Sequence, residues 1–320
     1  MTKPVAASKR EFLRGLHNLR DMHRGNVVTI GAFDGVHRGH QAILRQVVEQ
    51  SRALNLPSLA MIFEPQPHEY FSGEKAPARL MRLGEKVEAL FAEGIDRVFC
   101  LPFNRALSHL SAEDFIQQIL VDGLGVRALV VGDDFRFGRE RKGDYPMLQQ
   151  AGKQYGFALT DTTTYLMDDT RVSSTRIRQT LEAGMFNDVK VLLGKPYTIS
   201  GKVVRGQQLG RELGAPTANV HLHRYRSPLS GVFVVETRIA SGEVLPGVAN
   251  VGVRPTVCGD TKPILEVHLF DRNDDLYGQT IVVEFKQKIR EEQRFESVDI
   301  LREQIQKDIQ QAKCCLSSFS

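Results

Sequence analysis

Residues 31–40 read Gly31-Ala32-Phe33-Asp34-Gly35-Val36-His37-Arg38-Gly39-His40, directly after the apolar run Val27-Val28-Thr29-Ile30. A strand ending at Gly31, a glycine-rich turn and a helix opening near Gly39 account for this order. Ile43, Leu44, Val47, Val48 and Leu54 recur at the spacing of one helical face. His37 and His40 are three apart, so both side chains can point the same way from the first turn. Unpaired backbone N–H groups and the helix dipole favour an anion at that end. Two imidazoles beside a dipole end suit a triphosphate; two surface histidines in a turn are the bland alternative.

Working outward, the first part of the chain alternates short apolar runs with helical patterns. The runs at 27–30, 59–63, 98–101, 129–131 and 157–160 read as strands, and 40–54, 85–93, 112–121 and 146–155 as helices. Ser111-Ala112-Glu113-Asp114 reads as a capping box opening the third helix. Such alternation predicts a parallel sheet covered by helices on both faces, with ligands outside the carboxyl ends of its strands. Beyond about Asn187 the pattern changes. β-Prone runs at 197–204, 231–239, 264–270 and 280–285, punctuated by glycine and proline, predict an antiparallel barrel or sandwich. A closing helix is expected over 298–313, with Leu301, Ile305, Ile309 and Ala312 on one face. The boundary falls within 184–195, giving domains 1–185 and 186–320.

The chain has 320 residues, long enough for two ordinary domains, and is 42% hydrophobic and 25% charged, as in soluble globular proteins. Its net charge of +4 divides evenly: 24 Lys and Arg against 22 Asp and Glu in 1–185, and 18 against 16 in 186–320. No basic tail or stripe stands out, which argues against nucleic acid as a partner. No apolar run approaches the ~18 residues of a membrane span, and residues 1–11 carry no apolar signal core. Cys100, Cys258, Cys314 and Cys315 lack zinc-ligand spacing and read as reduced thiols, so the expected location is the cytoplasm. The chain contains no Gly-x-x-x-x-Gly-Lys-Ser/Thr. Gly123-Leu124-Gly125-Val126-Arg127-Ala128 follows a helix and precedes a strand, the wrong order for a dinucleotide fingerprint.

Three more segments fall at strand or helix ends. Ser173-Ser174-Thr175-Arg176-Ile177-Arg178 precedes a short helix expected over 179–183; its hydroxyls can cap that helix and bind phosphate oxygens, and one arginine can reach a triphosphate. Gly132-Asp133-Asp134-Phe135-Arg136-Phe137-Gly138 follows the fourth strand, and Phe63-Glu64-Pro65-Gln66-Pro67-His68-Glu69 the second. With the His-x-x-His turn, this set resembles the nucleotidyltransferase superfamily. A class I aminoacyl-tRNA synthetase shares the turn, but the chain has no Lys-Met-Ser-Lys-Ser loop. The resemblance implies attack of an acceptor phosphate on the α-phosphorus of ATP, with His37 and His40 serving the α- and β-phosphates. Ser174, Thr175 and Arg178 would serve the β- and γ-phosphates, and Gly31, Phe33, Asp34, Asp134 and Ser173 would complete the ATP site.

The second part opens with a glycine-rich stretch, Gly201-Lys202-Val203-Val204-Arg205-Gly206-Gln207-Gln208-Leu209-Gly210-Arg211-Glu212-Leu213-Gly214, followed by Ala215-Pro216-Thr217-Ala218-Asn219. Its four glycines suit a loop whose backbone approaches phosphates. Thr217 and Asn219 offer neutral oxygens two residues apart, which suits a hydrated Mg²⁺ bridging phosphates; a glycine-rich turn with a polar strand end is the alternative. Pro-Thr-Ala-Asn in this setting, with Gly247-Val248-Ala249-Asn250-Val251-Gly252-Val253-Arg254-Pro255-Thr256 and Leu265-Glu266-Val267-His268-Leu269-Phe270-Asp271, resembles the riboflavin kinase family. That resemblance implies Glu266 as general base towards the ribityl hydroxyl and Arg254 at the flavin. Gly201, Gly206, Gly210 and Gly214 would lie along the ATP. His268 shares a strand face with Glu266 and either orients the site or is structural.

Both modules in this order are similar to the bifunctional bacterial riboflavin kinase/FAD synthetase family. The implied architecture is a Rossmann-like α/β nucleotidyltransferase domain followed by a riboflavin kinase β-barrel with a C-terminal helix. The implied chemistry is two ATP-dependent, Mg²⁺-requiring steps, riboflavin to FMN and FMN to FAD. Its partners are small molecules, with no nucleic acid or membrane, and homo-oligomerisation is left open. A kinase-only enzyme and a non-enzymatic flavin-binding regulatory module are the alternatives. Intact His37, His40 and residues 173–178 argue against the first; Thr217, Asn219 and Glu266 argue against the second.

Overall fold

The run Asn26–Ile30, buried at every position, becomes the centre of a sheet because neither of its faces carries a group that needs water. In chain order the strands are β1 (Glu11–Arg14), β2 (Asn26–Ile30), β3 (Ser58–Glu64), β4 (Arg97–Pro102), β5 (Val126–Val131) and β6 (Ala158–Asp161). They form one sheet in the order β1-β4-β3-β2-β5-β6, and every neighbouring pair is parallel. The order reverses between β2 and β5, so the carboxyl ends of these two strands mark the switch point where such sheets bind ligands. The computed structural model describes residues 10–162, 165–167, 170–205, 214–222, 224–255, 261–272 and 276–317, apart from the side chains of 254, 255, 261 and 262. The chain divides into two units, Met1–Ala76 with Leu83–Ser173 and Pro77–Arg82 with Ser174–Ser320.

The helices of the first unit are α1 (Arg38–Leu54), α2 (Pro67–Ser72), α3 (Leu83–Ala92), α4 (Arg105–Ser108), α5 (Ala112–Asp114) and α6 (Tyr145–Tyr155). α1 buries Leu44, Val47 and Val48, the stripe its periodicity predicts. The α-helix expected over 112–121 is instead one turn of α5 that widens into a π-helix, Phe115–Gly123. Phe115, Ile116, Ile119 and Leu120 are all buried, and the wider i→i+5 turn lets both members of each adjacent pair reach the core. Ser111 caps α5 by accepting from the Asp114 N–H at 3.0 Å. The expected reciprocal bond is replaced by the Ser111 hydroxyl donating to the Asp114 carboxylate at 2.7 Å. A two-residue ladder of β7 (Leu166–Met167) and β8 (Thr170–Arg171) closes the unit.

In the second unit α7 (Ser174–Glu182) and α8 (Phe186–Leu193) precede β9 (Thr198–Val204), β10 (Ala218–His221), β11 (Gly231–Arg238), β12 (Val244–Pro255), β13 (Thr261–Leu269) and β14 (Thr280–Arg290). α7 begins five residues before the helix expected over 179–183, because Ile177 and Leu181 form one buried face at i, i+4. The six strands close into an antiparallel barrel in the order β10-β13-β12-β11-β14-β9. Phe233 and Val235 alternate along β11 with Val232 and Val234; the latter pair meets Ile309 and Ala312 of α9 (Val298–Ser317). Arg290 on β14 holds that helix through a bidentate pair with the buried Asp308, at 2.7–3.1 Å.

Candidate active sites

At the switch point the chain between β2 and α1 is held in conformations L-residues seldom adopt. Phe33 and Val36 have φ of 45° and 42°, both with buried side chains. For a β-branched residue such as Val36 this is a true outlier, and strain of this kind collects where a site over-determines its backbone. The turn delivers His37 to the N-cap of α1, where its Nδ1 accepts the His40 N–H at 3.3 Å. The two imidazoles then stack with centroids 3.6 Å apart and planes 16° from parallel. Gly39 is required between them. A Cβ there would press on the His37 ring at 3.2 Å and on the Val172 carbonyl at 3.4 Å.

The electrostatics refine the expectation of two cationic imidazoles. Burial pushes His40 well below its ordinary value of 6.5, and His37, Lys86 and Arg171 push the same way. His40 is therefore neutral at pH 7. Its Nδ1 is buried without a hydrogen-bond partner among the described residues. With the His37 Nδ1 serving as acceptor, that ring carries its proton on Nε2. The stack therefore presents a neutral, buried His40 beside a His37 ring that is oriented by its own cap bond, at a helix N-terminus.

Gly31, Phe33 and Asp34 lie on the same turn, Phe33 edge-on to His40 at 5.2 Å. Asp134, on the loop after β5, pairs with Arg171 at 3.1 Å; both side chains are 63% exposed. Ser173 ends the first unit. Ser174 and Thr175 open α7 in the second, so they stand in a helical first turn rather than in a loop before it. Arg178 spends its Nε on the Ala78 carbonyl at 2.5 Å, within the second unit.

Sequence reasoning missed Lys86 and Arg171 near His40. Lys86, on α3, is only 1% exposed, and its helical spacing resembles that of an ordinary core position. It also missed an aromatic group at the carboxyl end of β3, where Phe63, Tyr70, Phe71 and Phe103 meet edge-to-face at 5.2–5.8 Å. Phe71 is 69% exposed. Beside this group on the chain, Gln66 is buried with neither amide atom partnered among the described residues. A large exposed ring next to an unpaired amide was the available signal.

In the barrel, three adjacent strands bring a row of polar side chains to one register level. Asn219 on β10 faces Glu266 on β13, and Glu266 faces Asn250 on β12. Directly opposed residues of an antiparallel pair share a face. Asn219 is 4% exposed; its Nδ2 donates to the Thr217 carbonyl at 3.2 Å, and its Oδ1 has no partner among the described residues. A buried, orphaned amide oxygen two residues from the Thr217 hydroxyl fits a hard cation. His268 Nδ1 lies 2.9 Å from the Pro216 carbonyl and so ties the Pro216–Asn219 segment to the strand carrying Glu266. Gly201 lies within β9, where an added Cβ would meet Val220 Cγ1 at 2.2 Å. Gly214 adopts a left-handed φ of 78°. Gly206 and Gly210 lie outside the described residues, and Arg254 closes β12 with its side chain outside them.

A doubly wound α/β unit with a paired-imidazole turn, followed by a barrel with an Asn-Glu-Asn row, defines a two-module transferase. The family models for FAD synthetase and riboflavin kinase match residues 19–176 and 193–316. A bifunctional riboflavin kinase/FMN adenylyltransferase of Pseudomonas fluorescens is 53% identical over 95% of this chain and 97% of its own. Its namesakes from Escherichia coli K12 and Haemophilus influenzae are 50% and 47% identical, covering 93% and 96% of this chain and 95% and 100% of theirs. A crystal structure described as a macrolide-efflux protein from Streptococcus pneumoniae superposes with TM-score 0.76 at 29% identity, over 93% of this chain and 97% of that one. Among the described residues no helix is long and apolar enough to cross a membrane. The chain belongs to the bifunctional riboflavin kinase/FMN adenylyltransferase family.

Proposed function

We infer that the chain phosphorylates riboflavin to FMN with ATP and then adenylylates FMN to FAD, releasing pyrophosphate. We assign adenylylation to residues 1–185 and phosphorylation to 186–320. The observation that carries the reading is that one chain holds both constellations: the stacked imidazole pair at a sheet switch point, and Asn219 with a free oxygen beside Glu266.

In adenylylation an FMN phosphate oxygen attacks the α-phosphorus of ATP, and the bond to pyrophosphate breaks; no enzyme nucleophile is needed. His37 and His40 donate to the α- and β-phosphates, where charge builds up, and Ser174, Thr175 and Arg178 serve the β- and γ-phosphates, with Ser173 beside them in the ATP site. Gly31, Phe33, Asp34 and Asp134 shape the rest of the ATP site. Phe71, exposed and braced edge-to-face by Tyr70 and Phe103, offers one apolar ring to the acceptor's ring system.

In phosphorylation Glu266 takes the proton of the ribityl 5′-hydroxyl as its oxygen attacks the γ-phosphorus, and ADP leaves. Thr217 and Asn219 would hold Mg²⁺, which supplies neutralisation of polyphosphate charge when bound. Gly201, Gly206, Gly210 and Gly214 line the nucleotide, and Arg254 contacts the flavin. We place the protein in the cytoplasm.

Incubation of the purified protein with riboflavin, ATP and Mg²⁺, followed by chromatography, tests the reading. FAD with transient FMN is expected. FMN alone would leave a kinase, and neither product would overturn both activities.

A further inference from the structure

The row on the barrel contains two asparagines, one on each side of Glu266, and their amides face opposite tasks. Asn219 uses its N–H on the Thr217 carbonyl and leaves its oxygen free. One of its two N–H groups is therefore committed to its own strand segment rather than to Glu266. Asn250 is the in-register partner of Glu266 on the other flank, and its Nδ2 lies 3.5 Å from Glu266 Oε2. Its chain neighbours Ala249 and Val251 are 1% and 0% exposed, so the side chain stands on a rigid strand.

We propose that Asn250 is a positioning residue for riboflavin phosphorylation, donating its amide N–H to one oxygen of the Glu266 carboxylate and so aiming the other at the ribityl hydroxyl. A carboxylate on a strand has two oxygens and a freely turning terminal torsion. Holding one oxygen fixes which lone pair meets the incoming proton. The 3.5 Å separation is at the long end of hydrogen bonding, and the proposed role requires it to tighten in the complex with substrate. This assignment rests on Glu266 being the base.

The test uses Asn250→Leu, which removes the donor at similar volume, and Asn250→Asp, which keeps the shape and reverses the polarity. Each should lower the kinase kcat by roughly 10- to 100-fold, with KM for riboflavin and for ATP within about twofold of the parent. Adenylylation of added FMN by the same preparation should be unchanged, which certifies the first domain, and the unchanged KM values with an unchanged urea midpoint of the barrel's transition certify the second. The deciding measurement is a cycle with Glu266→Gln, read as slow FMN formation over long incubations. If Asn250 acts through the carboxylate, Asn250→Leu should cost less than about a further twofold in that background. A full, multiplicative loss there would overturn the proposal, as would Asn250→Asp with the parent's rate. If Glu266→Gln itself keeps kinase activity, the base assignment falls. If Glu266→Gln is inactive while Asn250→Leu is normal, only the present proposal falls.

Discussion

On the proposed reading the two ATP sites of this chain meet the same problem, polyphosphate charge, with different materials. In the α/β unit the donors are imidazoles, stacked at 3.6 Å, with His40 kept neutral by burial, at the end of a helix whose dipole already favours an anion. In the barrel the row stands on three neighbouring strands. It offers a neutral amide oxygen suited to a cation, with a carboxylate one strand away. On that reading the first site would stabilise a leaving polyphosphate with groups of its own. The second would leave charge neutralisation to an added cation and reserve its carboxylate for the proton.

The largest effect expected from this contrast is on the kinase. Glu266→Gln should lower FMN formation by about 10³-fold, within the range for loss of a general base. Conversion of added FMN to FAD should stay at the parent rate. Loss of both activities, followed by chromatography, would show that the two sites are not independent.

The converse comes next. His40→Ala should lower FAD formation by about 10²-fold, the order associated with removing one pre-organised donor, and FMN should accumulate because phosphorylation continues. An unchanged FAD yield would move the triphosphate site away from the stacked pair.

A third variant asks whether the barrel's glycines work by contact or by packing. Gly201 was read as part of a phosphate loop, yet it lies inside β9 with Val220 at 2.2 Å from any added Cβ. Val220 is next to Asn219, so overpacking there should tilt the amide oxygen. Gly201→Ala should lower kinase activity by about tenfold, from a strain of roughly 1–3 kcal/mol. Adding Val220→Ala should restore most of it. Failure of the second substitution to rescue would favour direct contact of Gly201 with nucleotide.

How legible the fold was varied with the physical signal. β2, β3, β4 and β5 could be read because parallel strands buried on both faces are uninterrupted apolar runs. β12 was not read as a strand, although its residues were singled out. Pro246, Gly247, Gly252 and Pro255 read as punctuation. In the barrel Gly247 is there because a Cβ would meet the His268 carbonyl at 2.4 Å, and Gly252 because one would meet Glu292 Oε1 at 2.3 Å. β1 is a four-residue edge strand, too short for a pattern. Within the sites, His37, His40, Thr217, Asn219 and Glu266 were found from local spacing. Lys86, Arg171 and Asn250 become visible only through tertiary neighbours, because a buried lysine on a helix or an asparagine on a strand has no distinctive spacing. The burial that keeps His40 neutral was equally hidden, since spacing of three fixes direction but not desolvation.

The smallest effect concerns pH, and it separates the two sites by their titratable groups. His40 has a folded-state value below its ordinary 6.5, chiefly through burial, with His37, Lys86 and Arg171 adding repulsion. Above pH 6.5 the ring is neutral in both the folded and unfolded chain and contributes no pH dependence. As the pH falls through 6.5 the unfolded chain binds a proton that the folded chain refuses. Stability is then lost with falling pH until the folded His40 also titrates. His40→Gln removes this one term. The urea midpoint of the variant, measured relative to the parent, should therefore be level above pH 6.5 and climb as the pH drops below it. The ratio of kinase rates between variant and parent should stay constant across the same range, because the imidazole belongs to the adenylylation site alone. A flat difference from pH 7.5 to 5 would mean that burial does not shift the ring. One that falls as the pH drops from 7.5 to 6.5 would mean that the stacked ring is charged in the folded protein. The first site would then work by charge rather than by neutral donors.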